Sequence, residues 1–137
     1  MENCIFCKIA NSEIPSATVY EDADFRAILD IAPAAKGHVI ILPKKHAANL
    51  FEADEELLSK ALLVAKKVAA AMMKALGCDG VNVLQNNFEA AGQTVFHLHI
   101  HLIPRYKEDG LKIAAWPQGG YADGESAALA KKISENL

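Results

Sequence analysis

Three histidines that alternate with apolar residues, between Val95 and Pro104, are the residues of this chain best suited to chemistry. His97, His99 and His101 have the period-two spacing of a β-strand, so all three should project from one face. The other face should turn four apolar side chains into a core: Phe96, Leu98, Ile100 and Leu102. The chain holds five histidines and three of them fall within this row, which indicates a site rather than chance.

Two kinds of chemistry suit this row of imidazoles. Imidazole is a common metal ligand, but the Cα atoms of His97 and His101 would lie about 13 Å apart on a straight strand, too far for one ion. In nucleophilic catalysis the central ring, His99, would attack an electrophile while its neighbours hold its tautomer and handle protons. We favour catalysis, because a metal site would require the strand to bend sharply. Strand histidines without a function are disfavoured, since they would place a large polar load on a small core.

A Cys-x-x-Cys pair opens the chain, with three residues before it. Cys4 and Cys7 could form half of a zinc site, or they could be two reduced thiols without a metal. Without histidines beside them, their spacing alone favours the two thiols. The third cysteine, Cys78, lies far from both, so a disulfide framework is not expected.

The composition is ordinary for a globular protein of 137 residues, with 52% apolar and 23% charged residues, and it suits a single domain over 1–137. A net charge of −3 argues against sequence-independent binding to DNA or RNA, which needs a basic surface. No apolar stretch reaches membrane-spanning length, and residues 1–10 lack the pattern of a secretory signal. We therefore expect a cytoplasmic protein whose partners include neither a nucleic-acid polymer nor a membrane.

One long helix and several strands must position the histidines. Asp54 is a suitable N-cap for a helix that runs to about Leu76 and is stopped by Gly77. Strands are predicted at 18–20, 25–31, 38–42 and 81–85 and in the histidine row, and a short helix at 126–136. Short turns between neighbouring strands predict an α+β fold, in which an antiparallel sheet of about five strands packs against the long helix.

The long helix carries more apolar surface than one sheet needs. Its predicted core stripe contains Leu58, Ala61, Leu62, Ala65, Val68, Ala69, Met72 and Leu76. Five further apolar positions widen that surface: Leu57, Leu63, Val64, Ala71 and Met73. Either the helix is deeply buried within one subunit, or part of its surface packs on a second subunit.

Several motifs together resemble the histidine triad (HIT) family of nucleotide hydrolases and transferases. The most specific is the histidine row with the Gly-Gln-Thr at 92–94 that precedes it. Weaker likenesses are the Ile-Phe-Cys-Lys-Ile, Leu-Asp-Ile, Lys-Gly-His and Pro-Lys-Lys-His elements at 5–9, 29–31, 36–38 and 43–46. The Trp-Pro-Gln-Gly at 116–119 is similar to the tail of the Hint branch, the histidine triad nucleotide-binding proteins.

The resemblance implies an α+β sheet that forms a homodimer and acts on a nucleoside phosphate derivative. His99 would attack the α-phosphorus, and water would then release the nucleoside monophosphate from the nucleotidyl-imidazole. His101 would protonate or hydrogen-bond the leaving group, and His38 would support the triad by hydrogen bonding. Neutral imidazole suits the nucleophile because its ordinary pKa is about 6.5.

The resemblance also implies which residues bind the substrate. Gln93 and Thr94 would donate hydrogen bonds to phosphate oxygens, and Asn86 would be a further polar residue on the phosphate side. The Asp30 carboxylate would accept both ribose hydroxyls. The base would lie between apolar side chains, namely Phe6, Ile9 and Ile31. Taken alone, each apolar residue could equally be part of the core, and Asp30 could simply cap a turn.

A structural zinc ion is implied as well, by the bacterial members that carry this Cys-x-x-Cys pair. Its ligands would be Cys4, Cys7, His46 and His97, which form a closed tetrahedral set. Such a site would give His97 a buried partner and would leave His99 and His101 to catalysis.

Phe88 departs from the family pattern, which often has glycine at this place. A bulky residue disfavours positive φ, so the conformation of the phosphate loop and the role of Asn87 stay open.

The Trp-Pro-Gln-Gly tail favours hydrolysis of nucleoside 5′-phosphoramidates of adenosine or guanosine. Hydrolysis of dinucleoside polyphosphates, a nucleotide-binding scaffold with vestigial catalysis, and a purely metal-binding protein are the alternatives.

Overall fold

The computed structural model describes residues 3–113 and 115–137, and within them the strands form one antiparallel sheet. The strands are β1 (Thr18–Glu21), β2 (Phe25–Leu29), β3 (Val39–Pro43), β4 (Gly80–Leu84) and β5 (Ile100–Arg105). Their order across the sheet is β1-β2-β3-β5-β4. The predicted α+β class with a five-stranded antiparallel sheet is confirmed.

The helices of the described ranges are α1 (Ile5–Ala10), α2 (Glu55–Leu76) and α3 (Glu125–Ser134), with a 3-10 turn at Glu89–Ala91. Helix α2 has the boundaries that the sequence predicts. The Asp54 carboxylate accepts a hydrogen bond from the Leu57 amide at 2.8 Å, and Gly77 ends the helix with a φ of 61°. A left-handed φ of this kind costs glycine little, because it has no Cβ.

Strand β3 is buried along its whole length because helices cover both faces of the sheet. The α2 side of the core includes Ala27, Val39, Ile41, Leu98, Ile100 and Leu102. The α1 side includes Ala10, Ile28, Ile40 and Leu42, with Phe6 and Ile9 packed against them. Since side chains alternate along a strand, the histidines between Leu98 and Leu102 face the side of α1.

The histidine row is a paired strand only in its second half. Strand β5 begins at Ile100, which pairs with Ile41, whereas the chain before it turns away and the Leu98 amide donates to the Ala47 carbonyl at 2.7 Å. The prediction that Phe96 enters the core is therefore wrong, and this side chain is 52% exposed. The alternation of histidine and core residues holds from His97 onward.

The core stripe of α2 is rotated relative to the prediction. Leu62, predicted to be buried, is 68% exposed, while Leu57 and Val64 are buried. Val68 lies at the centre of the buried stripe. At about 100° per residue, Leu62 lies roughly 120° around the helix from Val68, whereas Val64 lies within about 40° of Val68. The predicted excess of apolar surface is real: Leu63, Ala71 and Met73 are exposed as predicted, and Leu62 and Leu76, predicted to be core, are exposed with them.

The C-terminal helix α3 is exposed at every residue, including the apolar Leu129 and Ile133. Its position one or two residues from the predicted range confirms a short terminal helix. Among residues 3–113 and 115–137, no helix combines the length and the apolar character needed to cross a membrane.

Candidate active site and metal centre

Two thiols and two imidazoles meet at the start of α1. Cys4 is the N-cap of α1 and Cys7 lies in its first turn, while His46 follows β3 and His97 precedes β5. The His97 Nδ1 lies 3.4 Å from both sulfur atoms, and the His46 Nδ1 lies 3.2 Å from the Cys7 Sγ and from the His97 Nδ1. All four ligand atoms lie within 4.8 Å of one another, so the fold brings the predicted metal ligands together.

These separations fit one tetrahedral metal ion. With zinc–sulfur bonds of about 2.3 Å and zinc–nitrogen bonds of about 2.0–2.1 Å, the ligand atoms should lie roughly 3.3–3.8 Å apart. The His97 ring is oriented as a ligand, since its Nε2–H donates to the Pro43 carbonyl at 2.9 Å and leaves the Nδ1 lone pair toward the thiols. Burial lowers the pKa of His97 to about 4, so the ring is neutral near pH 7.

The neighbouring backbone fixes the tautomer of His99. Its Nδ1 lies 2.7 Å from the His97 carbonyl oxygen, which can only accept, so Nδ1 carries the proton. Burial lowers the pKa of His99 and keeps the ring neutral, which leaves the lone pair on Nε2. The ring meets Phe6 edge-on, with centroids 5.1 Å apart, and borders a cavity of about 520 Å³. His99 is thus a neutral imidazole whose Nε2 can act as a nucleophile.

A second chain of hydrogen bonds fixes the tautomer of His101. The Ala34 amide donates to the His38 Nδ1 at 3.0 Å, so the proton of neutral His38 is on Nε2. That Nε2–H donates to the His101 Nδ1 at 2.9 Å, which places the proton of neutral His101 on its own Nε2. Burial is the main cause that lowers the pKa of His38 and lowers that of His101 to about 4. His101 therefore offers an N–H donor at the cavity, and His38 holds it in that state.

The cavity that His99 and His101 border has mostly apolar walls. Phe6 and Ile9 from α1, together with Ile31 after β2, line it as predicted for a base site. Asp30 also lines it, with its Oδ1 accepting the Ala32 amide at 2.9 Å and its Oδ2 lying 3.7 Å from the His38 Nε2. In the described part of the chain, no lysine or arginine lines this cavity.

Gln93 was predicted to donate hydrogen bonds to phosphate oxygens, but its side chain is turned into the protein. It is 2% exposed, and its Nε2 donates to the carbonyls of Ala48 and Val95 at 2.6 and 3.1 Å. Its Oε1 accepts the Phe88 amide at 2.8 Å, so both amide hydrogens and the oxygen are engaged within the protein. Gln93 is a support of the loop before the triad.

The remaining polar residues of the phosphate side are separated by the fold. Thr94 lines the cavity of His99. Asn86 packs beside Gly92, where a Cβ would lie 3.5 Å from its Nδ2. Asn87 accepts the Leu50 amide at 2.9 Å and exchanges two hydrogen bonds with Gln85, so its amide group is used to join two loops.

Phe88 adopts the conformation that glycine favours, with a φ of 72°. Its amide is held by Gln93, its carbonyl accepts the amides of Ala91 and Gln93, and its ring stacks on Phe51 with centroids 5.7 Å apart. The Phe88 ring is 55% exposed and does not line the cavity of His99. Phe88 therefore does not narrow this cavity, and the phosphate loop takes the positive-φ conformation without a glycine.

Backbone groups are the functional elements that sequence reasoning missed. The carbonyls of Pro43 and His97 and the amide of Ala34 set the protonated nitrogen of three different histidines. Every residue carries such groups, so no residue type in the sequence marks them.

The comparison with known proteins agrees with this arrangement. Residues 11–108 match the model of the HIT domain. This chain belongs to the HIT family. The resemblance of its motifs to that family is confirmed, as is the fold class that the resemblance implied.

Several known proteins are similar to this chain over almost its whole length. The adenosine 5′-monophosphoramidase of Schizosaccharomyces pombe is 42% identical over 136 residues, with 98% of each chain covered. The crystal structure of SMU.412c from Streptococcus mutans has a TM-score of 0.94 and 41% identity, covering 99% of this chain and 86% of that one. A zinc-bound histidine triad family protein from Mycobacterium smegmatis has a TM-score of 0.77 and 34% identity, with 98% of each chain covered. The prediction of a HIT-family enzyme is confirmed.

Proposed function

We propose that this chain hydrolyses nucleoside 5′-phosphoramidates of adenosine or guanosine through a covalent nucleotidyl-His99 intermediate. The observation that carries the proposal is the tautomer of His99, whose Nδ1–H is held by the His97 carbonyl while Nε2 is left as the nucleophile. The adenosine 5′-monophosphoramidase activity in the name of the fungal relative supports the choice of substrate. A vestigial site would not need this oriented ring.

In the first step the His99 Nε2 forms a bond to the α-phosphorus, and the bond from phosphorus to the amine nitrogen breaks. The ring becomes a phosphorylated imidazolium, and its Nδ1–H bond to the His97 carbonyl strengthens as positive charge develops. The leaving nitrogen takes a proton from a water molecule, and the resulting hydroxide is neutralised by the proton that the second step releases. The amine departs neutral, and its lone pair comes from the broken phosphorus–nitrogen bond. The His101 Nε2–H donates a hydrogen bond to that nitrogen and guides its departure.

In the second step water attacks the phosphorus, and the bond between phosphorus and the His99 Nε2 breaks. The electron pair returns to His99 as its neutral lone pair. One proton of the water stays on the nucleoside monophosphate and the other passes to the solvent. A phosphorylated imidazolium is a good leaving group, because neutral imidazole is released from it, so one slow displacement becomes two faster ones.

Each part of the nucleotide has a proposed partner among the residues near the cavity. Asp30 accepts the ribose hydroxyls, since its carboxylate keeps lone pairs beyond the one engaged by Ala32. Phe6, Ile9 and Ile31 enclose the base, and Thr94, which also lines the cavity, serves the phosphate. Asn86 packs beside Gly92, away from the described lining of this cavity, so its contact with the phosphate stays a prediction. The apolar contacts provide little means to distinguish adenine from guanine.

The cluster at α1 holds Zn²⁺ in this proposal, with Cys4, Cys7, His46 and His97 as its ligands. Four protein ligands leave no open position, so the ion would cross-link α1 to the segments after β3 and before β5. The zinc-bound relative from Mycobacterium smegmatis supports the choice of metal.

A homodimer completes the proposal. Strand β4 is an edge of the sheet, where Val83 is 51% exposed, and the neighbouring α2 exposes Leu62 and Met73. Free backbone groups at an edge and apolar side chains beside them suit an isologous contact with a second copy.

Replacing the nucleophile tests the central step. We expect His99→Ala to lower the turnover of adenosine 5′-phosphoramidate by at least about 10³-fold, because the covalent route is lost. Wild-type protein quenched in base during turnover should carry an acid-labile nucleotidyl group, detected by mass spectrometry. The melting temperature of the variant and its affinity for the nucleoside monophosphate serve as controls and should change little. Turnover at the wild-type rate would remove His99 from the mechanism.

Two substrates separate the proposed activity from its main alternative. Adenosine 5′-phosphoramidate should have at least a tenfold higher kcat/KM than diadenosine tetraphosphate, measured side by side. A polyphosphate needs positive charge, yet no lysine or arginine among residues 3–113 and 115–137 lines the cavity. Lys44, Lys45 and Arg105 are each paired with a carboxylate. Faster cleavage of the tetraphosphate would make the chain a dinucleoside polyphosphate hydrolase.

The zinc site can be tested with matched cysteine variants. Protein purified without chelator should contain about one zinc ion per chain, and Cys7→Ser should lose it and melt at least about 10 °C lower. Cys78→Ser is the control, because Cys78 is also buried but lies outside the cluster. Metal-free wild-type protein that melts at the same temperature as the zinc-treated protein would exclude a structural ion.

The dimer can be tested at the two edges of the sheet. Wild-type protein should sediment at about twice the chain mass of 14.8 kDa at micromolar concentration. Val83→Lys on β4 should shift it to a monomer, since charge on an edge strand opposes pairing. Val19→Lys on the opposite edge strand, β1, changes an equally exposed valine and should leave the dimer intact. A monomeric wild-type protein would exclude the assembly.

A further inference from the structure

A groove with almost purely apolar walls lies between α2 and the β1 side of the sheet, on the face opposite the histidines. Its volume is about 560 Å³, within the range of small-molecule sites. The groove exists because α2 packs mainly on β4 and β5, which leaves β1 and β2 uncovered on that side. It is lined by Val19, Tyr20, Leu29, Lys36, Gly37, Val39, Lys67, Val68, Ala71, Met72, Ala75 and Leu76.

Small residues keep the groove open along α2. Ala71 and Ala75 are one helical turn apart, and both are exposed on the wall of the groove. At the end near Gly37 the space is tight, since a Cβ on this glycine would lie 2.6 Å from the Leu76 Cδ1. From Lys67 to Leu76 the helix rises about 13 Å, which gives the groove an elongated shape.

Positive charge marks both ends of the groove. Lys67 lies at one end, with its Nζ 5.2 Å from the centre of the Tyr20 ring, and Lys36 lies beside Gly37 at the other. No aspartate or glutamate lines the groove within the described residues. An occupant with an apolar body and a negative end would therefore match both the walls and the rim.

The groove is separate from the surfaces used by the proposed function. The groove lies on the face of the sheet that packs against α2, whereas the histidines lie on the face toward α1. Ala71 and Leu62 are nine residues apart on α2, which places them about 180° around the helix from one another. The groove therefore lies away from the surface that carries Leu62 and the β4 edge.

We propose that this groove binds the acyl chain of a medium-length carboxylate, with the carboxylate at one of the two lysines. The elongated apolar space takes the chain, and burial of its methylene groups provides most of the affinity. Lys36 or Lys67 pairs with the carboxylate and sets the preference for a negative head group. This site is independent of the nucleotide cavity.

Calorimetric titration of the wild-type chain with decanoate, below its micelle concentration, tests the site. We expect one decanoate per chain, and Ala71→Trp should weaken binding by at least tenfold because the indole fills the groove. Ala70→Trp is the matched control, since Ala70 is exposed on α2 but does not line the groove, and its binding should stay within twofold of wild type. Equal binding to Ala71→Trp and wild type would overturn the site.

The charge preference has its own readout. Decyltrimethylammonium, with the same chain and the opposite charge, should bind at least tenfold more weakly than decanoate. The double variant Lys36→Gln/Lys67→Gln should weaken decanoate binding by about tenfold, and both lysines are exposed, so its folding should be unaffected. Equal affinity for the two amphiphiles would overturn the proposal and reduce the groove to a non-selective apolar surface. No nucleotide is used, so the outcome does not depend on the proposed enzyme activity.

Discussion

The buried imidazole of His97 is the group on which both centres depend. Its Nδ1 meets the thiols of Cys4 and Cys7, and its Nε2–H is held by the Pro43 carbonyl. Its own backbone carbonyl accepts the Nδ1–H of His99. The position of a single residue therefore decides where the candidate metal ligands converge and which nitrogen of the neighbouring ring keeps its lone pair.

Helix α1 connects the same two centres from the other side. It has six residues, too few to be stable in water alone, so its contacts with the rest of the chain must hold it in place. Cys7 ties it to the cluster of candidate metal ligands, while Phe6 and Ile9 form part of the cavity wall and pack on the sheet. A structural ion at this place would stabilise a wall of the cavity beside His99 as well as the fold.

The sequence predicted the features that depend on periodicity and on helix caps. It failed for the features that depend on tertiary contacts. The boundaries of α2 follow from Asp54 and Gly77, but the rotation of its core face depends on the sheet beneath it, so Leu62 was misplaced. The histidine alternation predicted a shared face, whereas the departure of Phe96 depends on where pairing with β3 begins. The family resemblance grouped four residues, Cys4, Cys7, His46 and His97, that the fold does bring together. It could not show that the Gln93 side chain uses its hydrogen bonds within the protein, on Phe88 in its own loop and on Ala48 in the segment after β3.

The chain of hydrogen bonds from Ala34 through His38 to His101 has a consequence for selectivity. Since the His38 Nδ1 accepts from a backbone amide, the two rings share one proton between them and hold a second on the His101 Nε2. A further proton would find no lone pair to occupy without breaking this chain. The His38–His101 pair therefore acts as a hydrogen-bond donor and not as a general acid. In the proposed mechanism the departing group must then take its proton from water, which favours a basic nitrogen over an alkoxide as the leaving group.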